Sequence, residues 1–331
     1  MPSQEQIFSS PQQFREILYG FQTSRVILTA YELDLFTVVD NKTLNSNQVA
    51  QALNTHPRAT NRLMNALVAI GLLNKSNNEF TNTPFAETFL SKNSDKYLKG
   101  FMHTTNMWHS WTNLTNVVKT GKTQHSRLKT PRNDNWAEAF IAAMHERGLL
   151  NAQEVINHID LKNTHSFLDI GGGSGVYAMQ FVQKNTNNKA TIFDLPEIIP
   201  IAKKYVANAN LSNQFTFISG DYNHDTFPSG YDLTFLSAII HINSPQENQL
   251  LIKKCYDALN PNGLIVIQDH VMNPQRTQPY AGAMFAINML VGTENGDTYT
   301  QQEITDWFTQ AGFNSTKRVN TSNNALMIAR K

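Results

Sequence analysis

The stretch FLDIGGGSGVYAMQFVQ, residues 167–183, constrains the fold more than any other part of the sequence. An apolar strand ends at Asp169 and Ile170, a glycine-dense turn follows, and a helix begins near Val176. Glycines let the backbone approach a ligand without a Cβ in the way, and the next helix presents free N–H groups at its start. The stretch therefore predicts a strand, loop and helix that together hold a ligand.

Two familiar nucleotide loops are disfavoured here. The dinucleotide fingerprint needs a glycine where Val176 stands, and no Gly-Lys-Ser/Thr follows as a phosphate loop requires. The next strand-like run ends in Asp194, 19 residues after Gly175. A carboxylate at this place can accept hydrogen bonds from two ribose hydroxyls, although it could instead cap the helix that follows. The loop and Asp194 together favour a ligand that contains a nucleoside.

From residue 165 onward, short apolar runs alternate with helical patterns. The runs are HSFLDI, ATIFD, QFTFISGD, YDLTFLSAII and GLIVIQD, followed near the C-terminus by STKRVNT and NALMIAR. Two helices begin with capping boxes, at Ser244 and at Thr300. This alternation predicts an α/β fold with a parallel sheet and crossover helices, in which ligands bind at the carboxyl edge of the strands.

The first hundred residues have a different pattern, with three helical segments and then a hairpin whose turn is near Asn77 and Asn78. This order is typical of a winged helix. DNA reading would need a basic surface around the third helix, but the predicted wing offers Lys75 as its single cation. Packing against another protein is the favoured interpretation, and a winged-helix regulator that senses a small molecule remains an alternative.

Composition narrows the function further. The net charge is +1, 16% of residues are charged, and no basic block suggests nucleic acid or a membrane surface as a partner. Cys255 is the only cysteine, and no Cys/His spacing suggests a metal. The polar N-terminus lacks the features of a signal peptide, and no apolar run reaches the roughly 18 residues that span a bilayer. These features predict a soluble, cytoplasmic protein.

The motifs LDIGGGSG, FDLPE, SGDY and LSAIIH occur in the order and spacing of S-adenosylmethionine-dependent methyltransferases. Together with TAYELDLF, VAQALN and LMNALVAIGLL, they make the chain resemble small-molecule O-methyltransferases that carry an N-terminal winged-helix dimerisation domain. The resemblance implies a homodimer formed through a mostly helical domain at residues 1–100. It also implies a Rossmann-like, seven-stranded catalytic domain at 101–331, with connecting helices at 101–160 and the core at 161–331.

The same resemblance implies which residues contact the cofactor, S-adenosylmethionine. The loop glycines would face its methionine part, Asp169 would support the loop, and Asp194 would hold the ribose. Residues after the second and third strands would surround the adenine. The predicted cofactor residues are Asp169, Gly171, Gly173, Gly175, Asp194, Leu195, Gly220, Asp221, Tyr222 and Ser237.

Methyl transfer to a hydroxyl requires removal of its proton, and a phenol with a pKa near 10 is barely ionised at neutral pH. A general base contributes about 10²–10⁴-fold to such a step. The resemblance places this base at His241, after the fourth strand, and an acidic partner at Asp269. The alternative is that His241 is an ordinary polar residue at a strand end.

The resemblance also implies acceptor contacts at Met144 and Asn288, and Met284 is a further candidate because a polarizable thioether suits a flat aromatic acceptor. One departure from the family pattern is that Thr298 stands where a second acidic residue is usual. We therefore predict methyl transfer to a hydroxyl of a small aromatic or polyketide-like molecule. A diverged family member with other chemistry, or with none, remains an alternative.

Overall fold

The computed structural model describes residues 10–123 and 134–331, which divide into two compact units between Thr105 and Asn106. The boundary lies within helix α6 (Phe101–Trp111). No helix in the described ranges is long and apolar enough to cross a membrane.

The N-terminal unit is mostly helical, as predicted. Its helices are α1 (Pro11–Glu32), α2 (Leu35–Val39), α3 (Ser46–Leu53), α4 (Pro57–Ala69) and α5 (Pro84–Phe89). Its three strands are β1 (Leu44–Asn45), β2 (Leu73–Ser76) and β3 (Glu79–Asn82), in the order β1-β3-β2. Asn77 and Asn78 both have a positive φ in the tight turn between β2 and β3, which confirms the predicted hairpin.

The second unit contains a seven-stranded sheet. Its strands are β4 (Ser166–Ile170), β5 (Lys189–Asp194), β6 (Phe215–Ser219), β7 (Tyr231–Ser237), β8 (Leu259–Asp269), β9 (Asn314–Asn320) and β10 (Ala325–Arg330). Its helices are α7 (Leu114–Thr120), α8 (Asp134–Asn157), α9 (Val176–Gln183), α10 (Ile199–Asn208), α11 (Pro245–Ala258), α12 (Tyr280–Gly292) and α13 (Gln301–Ala311).

The strand order is β6-β5-β4-β7-β8-β10-β9. The first five strands in this order are parallel, and β10 runs antiparallel between β8 and β9. The order reverses direction at β4, so the glycine loop after β4 lies at the switch point where such sheets bind ligands. The Rossmann-like, seven-stranded fold is thereby confirmed.

Strands β4, β7 and β8 are buried along most of their length, because helices cover both faces of the sheet. Two core clusters fill the two faces, one around Ile265 and Phe308 and the other around Phe167 and Phe235. Both predicted capping boxes form, at Ser244 and Thr300. The rigid core therefore fixes the strand ends from which the site is built.

The apolar sequence of the run YDLTFLSAII suggested one continuous strand, but the strand ends within this run. Strand β7 ends at Ser237, because Ala238 adopts a left-handed conformation with φ of 57° that no strand can continue. A short 3₁₀ turn, Ile240–Ile242, then carries His241. The imidazole is buried at 5% exposure and does not extend from an open strand end.

Candidate active site

The glycine loop turns sharply between β4 and α9. Gly171, Gly173 and Gly175 all have positive φ, a conformation that side chains with a Cβ rarely adopt. A Cβ on Gly172 would lie 2.7 Å from the Asp169 carboxyl carbon. Backbone conformation therefore explains three of the loop glycines, and lack of space for a Cβ explains the fourth. The loop backbone comes close to both Asp169 and the next strand.

Asp194 ends β5 directly beside this loop. Its Oδ2 accepts a hydrogen bond of 2.8 Å from the Gly173 amide, and its Oδ1 accepts one of 2.8 Å from the Leu195 amide. Burial raises the pKa of Asp194 to about 6, although these two bonds act against the rise. Each oxygen keeps a second lone pair for a hydroxyl of a ligand.

Asp169 lies underneath the loop and is 1% exposed. Burial raises its pKa to about 8, and the charge of Asp194 adds to that rise. Its Oδ2 has no hydrogen-bond partner within residues 10–123 and 134–331. Two acidic groups therefore lie next to each other at the loop, and Asp169 holds a proton at neutral pH.

Helix α8 covers the other side of the loop. Its Ile141 would contact a Cβ on Gly173 at 3.3 Å, and His145 Nδ1 shares a hydrogen bond of 2.9 Å with the Ser174 hydroxyl. Burial lowers the pKa of His145 below its ordinary value. No sequence signal marked His145 as a loop contact, because it depends on how α8 crosses the sheet.

The residues predicted to surround the adenine follow β5 and β6. Leu195 packs against the start of α10, and Gly220 donates its amide hydrogen to the Asp194 carbonyl at 3.0 Å. Tyr222 is half-buried near the loop, and its hydroxyl donates to Asn243 Oδ1 at 3.3 Å. Asp221 accepts from the Asn223 amide at 2.8 Å. These four residues lie along the strand edge beside Asp194.

Ser237 is placed differently from the loop residues. Its hydroxyl donates a hydrogen bond of 2.9 Å to Gln268 Oε1 across the β7–β8 pair. It ends β7, directly before the left-handed Ala238. The structure therefore gives Ser237 a role in joining β7, whose end leads to His241, to β8, which carries Asp269.

His241 and Asp269 form a buried pair. His241 Nδ1 lies 2.9 Å from Asp269 Oδ2 and 3.0 Å from Oδ1. Burial opposes ionisation of Asp269, but the charge and hydrogen bond of His241 hold its pKa below the ordinary value. An ionised carboxylate only accepts hydrogen bonds, so Nδ1 carries a proton, and Nε2 is the ring nitrogen that this contact leaves unused.

Several neighbours from other elements hold His241 in place. Phe285 meets the imidazole edge-on, with ring centroids 4.7 Å apart. Asn248 Nδ2 donates to the Ile240 carbonyl at 2.9 Å, and a Cβ on Gly296 would lie 2.4 Å from the His241 carbonyl oxygen. Since these contacts come from α11, α12 and the segment after α12, only the folded chain brings them together.

The three predicted acceptor residues lie on two helices. Asn288 in α12 is buried, and its Oδ1 accepts a hydrogen bond of 3.1 Å from Trp111 Nε1. Met284, one turn earlier, is 41% exposed. Met144 is half-buried in α8. Thr298, at the place of the second family carboxylate, is buried.

Comparison with known proteins gives this site its family. Residues 111–314 match the model of an O-methyltransferase domain, and residues 15–92 match that of an O-methyltransferase dimerisation domain. The chain belongs to the O-methyltransferase family. It is therefore an S-adenosylmethionine-dependent methyltransferase, and the predicted family and cofactor are confirmed.

Individual relatives cover the whole length of the chain. The tetracenomycin polyketide synthesis 8-O-methyl transferase TcmO of Streptomyces glaucescens is 27% identical, over 97% of each chain. The 3-hydroxy-5-methyl-1-naphthoate 3-O-methyltransferase of Streptomyces sahachiroi is 26% identical, over 93% of this chain and 91% of the relative. The crystal structure of human N-acetylserotonin methyltransferase in complex with SAM has the same fold, with a TM-score of 0.81, 24% identity and coverage of 100% and 99%.

The residues at the glycine loop suit this cofactor. The Asp194 carboxylate is placed to accept hydrogen bonds from ribose hydroxyls, and the glycine backbone leaves space that a Cβ would fill. The unpaired Oδ2 of Asp169 is a further polar atom beneath the loop. The loop thus offers carboxylates that accept hydrogen bonds and backbone amides that donate them, as expected for a nucleoside with a charged sulfur centre.

Proposed function

We propose that this methyltransferase acts on a hydroxyl of a small aromatic molecule, with His241 as the general base and Asp269 as its partner. The observation that carries the proposal is the buried pair, joined at 2.9 Å and held next to the switch point of the sheet. An imidazole with a free Nε2 at this edge is suited to accept the proton of a bound hydroxyl.

Bound S-adenosylmethionine supplies the methyl group. The chain aligns the acceptor oxygen, which is chiefly a positioning effect, and removes its proton as the new bond forms. His241 takes that proton on Nε2, and the resulting imidazolium is stabilised by the carboxylate of Asp269. Because Asp269 already has a lowered pKa, it stays ionised and the proton remains on His241.

An aromatic acceptor is supported by two kinds of observation. The relatives include a polyketide 8-O-methyl transferase and a hydroxynaphthoate 3-O-methyltransferase, and the second is named for a fused aromatic acceptor. In this chain, Phe285 and Met284 on α12 place a flat ring and a polarizable thioether in the same helix that contacts His241. We also assign the acceptor contacts Met144 and Asn288.

For the cofactor, we assign the ribose to Asp194 and the methionine part to Gly171, Gly173 and Gly175. Asp169 supports the loop from below. Leu195, Gly220, Asp221 and Tyr222 are assigned to the adenine side, and Ser237 to the strand end next to it. The contacts between Asp194 and the loop support this division.

We propose further that the enzyme is a homodimer formed through its N-terminal domain, residues 1–100, with 101–331 as the catalytic domain. One face of α1 has four large apolar side chains, each about half exposed: Phe14, Ile17, Leu18 and Phe21. Their spacing puts them on one stripe of the helix. An exposed stripe of this size in a region that matches a dimerisation domain supports contact with a second copy.

The experiment is a screen of labelled methyl transfer from S-adenosylmethionine to phenols, naphthols, catechols and amines. Wild-type enzyme should methylate a hydroxylated aromatic compound, and His241→Ala should lower turnover at least 100-fold while S-adenosylhomocysteine binds nearly as before. Asp194→Ala should abolish that binding. A His241→Ala variant as fast as wild type would show that His241 is not the base.

A further inference from the structure

A second histidine adjoins the His241–Asp269 pair. His270 follows Asp269, and its amide donates a hydrogen bond of 2.8 Å to Asp269 Oδ1. Its ring packs on Phe285, with centroids 4.7 Å apart and an interplanar angle of 44°. Phe285 also packs against His241, again with ring centroids 4.7 Å apart. The two imidazoles therefore pack on one aromatic ring, and the backbone amide of His270 contacts the carboxylate that the imidazole of His241 binds.

His270 lacks the partner that a buried polar group needs. Its Nδ1 is buried and makes no hydrogen bond with any residue that the structure describes. Burial lowers its pKa below the ordinary value; the charges of His241 and Arg147 add to this effect, while Asp269 opposes it. His270 is therefore neutral at pH 7, with one nitrogen that donates and one that accepts. A buried group of this kind is normally satisfied by protein, water or ligand.

Arg147, on α8, lies close enough to His270 for its positive charge to lower the pKa of that imidazole. The end of this helix is tied to the β9–β10 turn, where Asn323 Nδ2 donates to Asn151 Oδ1 at 2.6 Å and Glu154 Oε1 accepts from the Ser322 amide at 2.9 Å. Strand β10 starts at that turn, and its Ala325 pairs with Asp269.

Arg147 lies one helical turn before Asn151, and its carbonyl accepts a hydrogen bond from Asn151 at 3.2 Å. Its side chain is exposed and makes no ion pair within the described ranges. The side chains of Arg147 and His270 therefore offer N–H donors, and among the described residues no anion accepts hydrogen bonds from these side chains.

We propose that Arg147 and His270 bind a carboxylate of the acceptor, so that the preferred substrates are aromatic hydroxy acids. The inference rests on the proposed function, since it assumes that the methylated hydroxyl lies at His241. Arg147 offers a pair of N–H groups in the geometry that a carboxylate accepts, and His270 offers a third donor when its proton is on Nδ1. His241 and Asp269 then handle the proton, while this second pair selects the acceptor.

The test compares ligands that differ only by a carboxylate. Protein saturated with S-adenosylhomocysteine is titrated with 2-naphthol and with a set of hydroxynaphthoate isomers, and binding is followed by ligand fluorescence. At least one isomer should bind wild type ten or more times as tightly as 2-naphthol. Arg147→Gln should remove that preference and leave the affinity for 2-naphthol unchanged. Arg62→Gln, an exposed arginine on α4 in the other unit, is the matched control and should keep the preference.

His270 is tested by a conservative pair of variants. Asn carries an amide near the place of the imidazole Nδ1, so His270→Asn should retain most of the preference and His270→Ala should lose it. A general loss of packing would weaken all ligands alike in both variants, and that result would contradict the role of His270.

Other outcomes distinguish a carboxylate of the acceptor from the carboxylate of the cofactor. The methionine part of the cofactor also carries one, so S-adenosylhomocysteine is compared with 5′-methylthioadenosine, which lacks it. If Arg147→Gln weakens the first and spares the second, Arg147 binds the cofactor and the inference is overturned. Equal binding of naphthol and all naphthoates, or no binding of any naphthoate, overturns it as well. Failure of wild type to bind S-adenosylhomocysteine would instead contradict the proposed function.

Discussion

Replacing Asp169 by Asn should stabilise the cofactor-free enzyme, and the stabilisation should grow with pH. The carboxyl group is 1% exposed, has an unpaired Oδ2 and lies next to Asp194, so burial raises its pKa to about 8 in the folded state. In the unfolded chain its pKa is about 3.9. At a pH between these two pKa values, the folded state holds a proton on Asp169 that the unfolded state has released.

The sign and size of the effect follow from this difference. A folded state that binds one more proton loses about 1.4 kcal/mol of stability for each unit of rising pH. The contribution of Asp169 is therefore full below pH 4 and is lost as the pH rises towards 8. Asn resembles the protonated acid and does not titrate. From pH 5 to pH 7, the free energy of unfolding of the variant should rise relative to that of wild type by about 3 kcal/mol.

The assay is urea unfolding without cofactor, followed by tryptophan fluorescence at pH 5, 6, 7 and 8. All four tryptophans, Trp108, Trp111, Trp136 and Trp307, lie after residue 105, so the signal reports on the unit that contains Asp169. The control is Asp232→Asn. Hydrogen bonds from Asn260, His165 and Ser166 outweigh partial burial and lower the pKa of Asp232, so it is ionised in both states from pH 5 to 8. Its variant should be less stable by a constant amount.

Parallel stability curves for wild type and Asp169→Asn between pH 5 and 8 would refute the reasoning. A difference that shrinks as the pH rises would refute it as well, because it would mean that Asp169 is ionised and stabilising in the folded state.

Three further predictions concern the base, the turn that holds it and the dimer. Asp269→Asn should lower turnover about 100-fold or more and change S-adenosylhomocysteine affinity less than twofold, because a neutral amide does not stabilise the imidazolium; unchanged turnover in steady-state kinetics would argue against the pair. Gly296→Ala puts a Cβ 2.4 Å from the His241 carbonyl oxygen, so both turnover and melting temperature should fall. A variant with wild-type turnover and melting temperature would mean that Gly296 does not hold the turn that carries His241. Ile17→Asp should convert the dimer to a monomer in sedimentation velocity, whereas Thr23→Asp on the opposite face of α1 should not; a wild-type monomer would contradict the proposed interface.

Much of the site could be predicted because its signals are local in sequence. The glycine loop, the acidic residue at the end of β5 and the caps at Ser244 and Thr300 each occupy a few adjacent positions, and the backbone conformation they need restricts the residue type. The contact of 2.9 Å between His241 and Asp269 agrees with the pairing expected from the family pattern, which periodicity did not indicate, and their catalytic roles stay a prediction.

Other features of the structure could not be predicted from local sequence patterns. The apolar run before His241 looked like one continuous strand, because hydrophobicity does not reveal the left-handed conformation of Ala238 that ends it. His145, His270 and Gly296 carried no local signal, since each matters only through a partner far away in the sequence. Among the described residues, His270 Nδ1 lacks a hydrogen bond and Arg147 lacks an ion pair, and this too depends on which side chains surround them.

The sequence by itself determined the alternation of strands and helices, the ligand loop and the family, because these depend on residue types at short spacing and on an order of motifs. Tertiary structure decided the electrostatics. Burial raises the pKa of Asp169, and the contact with His241 keeps Asp269 ionised even though it is buried. Both are aspartates at the end of a buried strand, and only their neighbours in space make one hold a proton and the other a charge.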